Sequence, residues 1–148
     1  MSQVPSEARV ETKYKPIMTA RMLCKHSLKV LANNRIFKAR PTGDPEDDAK
    51  FPPQPELVAR MRDTALDIYI SAYTANETVL TKDNYRFRRQ LQDRAVARCN
   101  ELLALAELAI PLFHFPRARY GYWGALIVYT RNLIQKWKKT DYDRYRRM

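Results

Sequence analysis

Residues 85–110, YRFRRQLQDRAVARCNELLALAELAI, form the longest run in the chain that keeps helical spacing and contains neither Gly nor Pro. Phe87, Leu91, Ala95, Cys99, Leu102, Ala106 and Ala109 recur in steps of three and four, which stacks them on one face of an α-helix. Such a stripe is a core helix, and the rest of the chain must supply faces to cover it. Arg86, Arg89, Arg94 and Arg98 make the outer side of its first half basic, while Leu103, Leu105 and Leu108 carry its second half beyond the inward stripe. A helix that is apolar almost all round is buried on more than one side. That end therefore meets either a long neighbour or another copy of the chain.

Three further segments have matching faces. Pro16 suits the first turn of a helix whose inward positions are Ile17, Ala20, Cys24, Ser27, Leu28 and Leu31, and which ends near Asn33 and Asn34. His26 lies off that stripe and reads as a surface residue. Pro55 opens a second helix with Leu57, Met61, Ala65, Ile68, Ala72, Ala75 and Val79 inward. Thr81 or Asp83 is then available to cap the central helix, which Pro111 stops. After Pro116 a last helix turns Trp123, Leu126, Ile127, Thr130, Leu133, Ile134 and Trp137 inward, with Tyr122 and Tyr129 forming a second, aromatic edge. With four long helical patterns and no alternating strand pattern, the expected fold is all-α, an antiparallel up-down four-helix bundle in a single domain. Residues 1–14 read as a mobile tail. Residues 138–148 form a basic extension.

The connection over residues 39–55, ARPTGDPEDDAKFPPQP, holds five prolines, a glycine and four clustered acids, and is expected to be a long loop without helix or strand. Asp44, Glu46, Asp47 and Asp48 raise the idea of a calcium site, but their spacing lacks the closing Glu of a twelve-residue calcium loop, so a solvated acidic loop is the better reading. Asp63 and Asp67 lie one turn apart with no third group beside them, and read as helix-surface charges rather than an acid/base pair.

Charge is the chain's strongest compositional signal. The 148 residues carry a net +11, distributed as +7 over residues 1–40, −5 over 41–80 and +9 over 81–148. A surplus of that size favours polyanions such as nucleic acid. No apolar stretch approaches the ~20 residues that a membrane-spanning helix needs, and the first residues lack the apolar core of a signal peptide. Cys24 and Cys99 both fall on inward positions and read as small buried thiols rather than as a disulfide or ligand pair, which fits a reducing cytoplasm. No Glu-x-x-His pair, phosphate-cradling glycine loop or Ser/Cys–His spacing is present, so no catalytic, metal or cofactor residue is expected and the chain does not read as an enzyme.

The run MRDTALDIYISAYTANE (61–77), the run RRQLQDRAVARCNELLALAELA (88–109) and a fourth helix closing on QKWKKTDYDR (135–144) resemble the small basic four-helix bundle proteins related to Avd, the accessory variability determinant of diversity-generating retroelements. That group extends to proteins encoded by intervening sequences in large-subunit ribosomal RNA genes. The Ala75-Asn76 pair and Trp137 are its most telling marks; the acidic insertion and the Lys/Arg/Tyr-rich extension depart from it. The resemblance implies a homopentameric ring of four-helix protomers that binds RNA or RNA/DNA hybrid and associates with a reverse transcriptase.

The functional expectation is a nucleic-acid-binding accessory protein that supports cDNA synthesis without chemistry of its own. The alternative is a structural oligomer or scaffold whose charge serves solubility. Lys25, Lys29, Arg86, Arg89, Lys136, Lys138, Lys139, Arg144, Arg146 and Arg147 lie off the inward stripes or in the extension and are the expected phosphate contacts. Leu103, Leu105, Leu108, Tyr122 and Tyr129 are the expected oligomer interface.

Overall fold

The computed structural model describes the backbone from residue 3 and the side chains of residues 15–148; the expected tail over residues 1–14 falls outside the residues whose side chains are described. Among the described residues the chain is all-helical: α1 (Gln3–Leu31), α2 (Pro45–Lys50), α3 (Pro55–Glu77), α4 (Tyr85–Phe113) and α5 (Arg117–Arg146). Each of the four long helices meets two others, since α3 lies against α1 and α4, and α5 against α4 and α1. No helix among the described residues is long and apolar enough to cross a membrane.

The core follows the expected stripes over most of their length. Ala65, Ile68, Ala72 and Ala75 of α3 and Ala95, Cys99, Ala106 and Ala109 of α4 are fully buried, and the small side chains let those two backbones approach closely. At the end of the core where α1 stops and α5 begins, Phe37, Phe113, Phe115 and Trp123 form an aromatic cluster with ring centroids 4.8–6.0 Å apart. The buried indole of Trp123 donates to Ser27 Oγ at 2.9 Å, and Ser27 in turn donates to the Leu23 carbonyl, so the ring's polar edge is satisfied inside the core. Cys24 and Cys99 are free and buried; burial raises both thiols, that of Cys99 to about 12.

Several expectations are corrected. Phe87 and Val79, placed inward by their apolar character, are exposed, and His26 is half-buried against the edge of Tyr122. Pro16 lies inside α1 rather than opening it. Pro111 does not stop α4. It falls in the last turn, where its missing N–H removes one rung only, and the helix ends at His114 in the left-handed conformation (φ 52°), whose N–H bonds the Ile110 carbonyl. Asn84 rather than Thr81 or Asp83 caps α4, and it does so without a side-chain bond; the Thr81 hydroxyl instead accepts from the Asn84 N–H. α5 runs through the expected extension as far as Arg146.

The acidic connection is also ordered differently from expectation. Asp44 accepts from the N–H groups of Glu46 and Asp47, Pro45 sits in the first turn, and Glu46, Asp47 and Asp48 lie at the positive end of the helix dipole, so the acids themselves start α2. The ammonium of Lys38, 3 % exposed, is enclosed by Asp47 Oδ2 at 2.7 Å, Asp48 Oδ1 at 2.9 Å and the Phe51 carbonyl at 2.8 Å. Burial pulls this ammonium down, but its bonds to Asp47 and Asp48 outweigh that and leave its pKa raised. Asp48, receiving the Thr42 N–H and then Lys38, is held at about 2. Lys38 thus offsets part of the cluster's charge from within. Among the described residues no three His, Cys, Asp or Glu side chains gather as a metal ion would require.

Candidate nucleic-acid interface

The positive charge of the chain is not all free to meet a ligand. Arg94 and Arg98 on α4 both reach Asp67 of α3 at 2.9 Å, and Arg60 reaches Glu101 at 2.6 Å, with Thr64 donating to the same carboxylate. The Arg60 bond, then that of Thr64, holds Glu101 below its usual value. These pairs stitch the α3–α4 seam. What remains uncompensated lies elsewhere.

Where α4 begins and α5 ends, a groove is walled by Lys82, Arg86, Arg89, Lys138 and Lys139 together with Tyr85, Tyr142 and Tyr145, with Asp83 the one acid on its walls among the described residues. Among the described residues Lys82, Arg86 and Lys139 have no carboxylate within ion-pair distance; Lys138 is paired with Asp93. Arg89 Nη1 donates to the Tyr85 hydroxyl at 2.8 Å, and the Tyr85 and Tyr145 rings lie 4.0 Å apart and 10° from parallel. Arg86, Arg89, Lys138 and Lys139 were expected here from the sequence. Lys82 was not: it stands alone in the turn before α4, and only the fold brings it to the groove.

The two helices that wall the groove are tied together by a buried ion pair, whose residues line the neighbouring hollow rather than the groove itself. Arg88 donates from Nε to Asp141 Oδ2 at 2.6 Å and from Nη2 to Asp141 Oδ1 at 3.1 Å, while its Nη1 caps the Thr78 carbonyl at the end of α3 and its guanidinium lies over Trp137. Gln92 Nε2 adds a third donor to Asp141, which turns the amide so that its Oε1 is buried with no partner among the described residues. The consequence for the surface is electrostatic. Asp141 sits amid the basic end of α5, yet its charge is matched inside the protein and does not cancel the cations around it.

The other expected contacts are not brought to this groove. Lys136 and Arg144 face a second hollow with Trp137 and Leu133 on the other side of α5, Arg146 lies over the Tyr142 ring, and Arg147 caps the helix. Lys29 lines a concavity with Arg119 and Tyr122 near the start of α5, which along the helix is about 30 Å from Lys139 at ~1.5 Å per residue; Lys25 is exposed on α1. Of the expected interface residues, Leu103 and Leu105 are half-buried against the core, whereas Leu108, Tyr122 and Tyr129 are exposed. Leu103 and Tyr129 share a shallow furrow with Gly121 and Ala125. No family model, curated protein or solved structure matches this chain.

Proposed function

We propose that the protein is a nucleic-acid-binding accessory subunit, an antiparallel four-helix bundle that grips RNA or RNA/DNA hybrid through the groove between the start of α4 and the end of α5. The observation that carries this reading is the gathering of Lys82, Arg86 and Lys139, none of them ion-paired among the described residues, on the same walls as three tyrosines. Phosphates are met by such cations, and tyrosine faces serve bases. The closed order of helix contacts, α1 to α3 to α4 to α5 and back to α1, supports the bundle.

The resemblance over residues 61–77, 88–109 and 135–144 supports a role beside a reverse transcriptase, without chemistry of the subunit's own, in a cytoplasmic homo-oligomer of five copies. Exposed Leu108, Tyr122 and Tyr129 are then the faces that neighbouring copies cover. In such a ring each groove is repeated, and weak contacts add through effective concentration. Anisotropy titration of a labelled RNA at low and high salt tests the binding: affinity that falls as salt rises supports it, and no binding at low salt refutes it. Light scattering that returns the 17.4 kDa of a single chain at micromolar concentration refutes the oligomer.

A further inference from the structure

We infer that the groove takes its nucleic acid as an unpaired strand, with bases laid on tyrosine rings while the flanking cations hold the phosphates. This rests on the proposed function and narrows its ligand.

Three tyrosines converge on one groove from two helices. Tyr85 at the start of α4 and Tyr145 near the end of α5 stack with centroids 4.0 Å apart, and the bond from Arg89 to the Tyr85 hydroxyl fixes that ring's orientation. Pinning two helix ends together is reason enough for this pair. It is no reason for Tyr142, which lies three residues before Tyr145 on the same side of α5, is 45 % exposed and stacks on no other ring among the described residues; the Arg146 guanidinium lies 5.7 Å from its ring centre. An aromatic ring held half in water beside a cation, next to a fixed pair of parallel rings, is a platform on which any base can stack, because every base has a π-face.

A duplex has no use for that platform. Its bases are already stacked on one another inside the helix, and it offers a protein only its phosphates and groove edges. An unpaired strand offers both groups at once, phosphates to Arg86 and Lys139 and bases to Tyr142 and to the Tyr85–Tyr145 pair where it lines the groove.

The test compares three probes on the intact protein: a labelled oligoadenylate, an abasic ribose-phosphate strand of the same length, and a blunt RNA duplex. Stacking predicts that the oligoadenylate binds about five- to hundredfold tighter than the abasic strand. Tyr142→Leu removes most of that difference without changing the abasic affinity, and Tyr142→Phe, which keeps the ring, restores it. Equal affinity for the intact and abasic strands, or an unchanged oligoadenylate affinity in Tyr142→Leu, overturns the inference and leaves the nucleic-acid reading standing. Failure of all three probes to bind overturns both.

Discussion

Arg88 on α4 and Asp141 on α5 form a two-pronged ion pair, with Nε to Oδ2 at 2.6 Å and Nη2 to Oδ1 at 3.1 Å, and both side chains are at least nine-tenths buried. The pair joins the two helices that wall the basic groove, and its third prong to the Thr78 carbonyl brings in the end of α3. A buried pair of this kind is worth little over a well-packed apolar replacement, yet breaking it from one side strands a charge.

Asp141→Ala is therefore expected to destabilise the protein by about 3–5 kcal/mol, because Arg88 is left buried and unmatched beside Gln92. Replacing both at once, Arg88→Met with Asp141→Leu, should recover much of that loss. Chemical denaturation of the two variants decides it: a double variant as unstable as the single one would mean that the pair itself, and not the orphaned charge, carries the energy.

Much of this fold is legible in the sequence, and the misread start of α4 has a physical origin. The inward stripe of α4 runs Arg88, Gln92, Ala95, Cys99, Leu102, Ala106, Ala109 and Phe113, an unbroken alternation of fours and threes. Following hydrophobic character alone places Phe87 and Leu91 at its start, one position out of phase, because the helix spends its first two inward positions on polar groups. Their partner, Asp141, lies 53 and 49 residues away and reads locally as one more charge in a basic segment. The same limit hides Lys38. Nothing in residues 39–55 indicates that an ammonium preceding them will pair with two of their acids beside a capped turn of helix. The groove was half legible: tyrosines interleaved with cations at the end of α5 are visible in the sequence, whereas Lys82 joins them only once α4 and α5 are aligned.

The Lys38 clasp makes a pH prediction. The Thr42 N–H first, and then the Lys38 ammonium, hold Asp48 at about 2 against its usual 3.8, so between those values the folded chain binds fewer protons than the unfolded one. The stability this carboxylate contributes is complete above its unfolded value and is lost as pH falls toward the folded value. A carboxyl NMR titration should place its inflection near 2 in the native protein and move it upward in Lys38→Met. An inflection at the ordinary value in the native protein, or one that does not move in Lys38→Met, would contradict the clasp.

Ala95 is fully buried on α4 within the core shared by the four long helices. Ala95→Phe is expected to cost about 1–3 kcal/mol through overpacking, lowering the melting temperature by several degrees. Unchanged melting would mean that the phase of the central helix has been misjudged.

The central claim is that the α4–α5 groove, rather than positive charge in general, holds nucleic acid. The most direct measurement is the slope of log affinity against log salt for a labelled RNA, taken for the native protein, for a Lys82→Glu, Arg86→Glu, Lys139→Glu variant, and for a Lys25→Glu, Lys29→Glu variant changed at the distant end of α1. Each phosphate neutralised contributes about −0.7 to −0.9 to that slope. The groove variant should therefore bind more weakly with a slope about two to three units shallower, while the α1 variant keeps a slope close to the native one. Parallel lines for the native and groove proteins, or an equal flattening in both variants, would contradict the account.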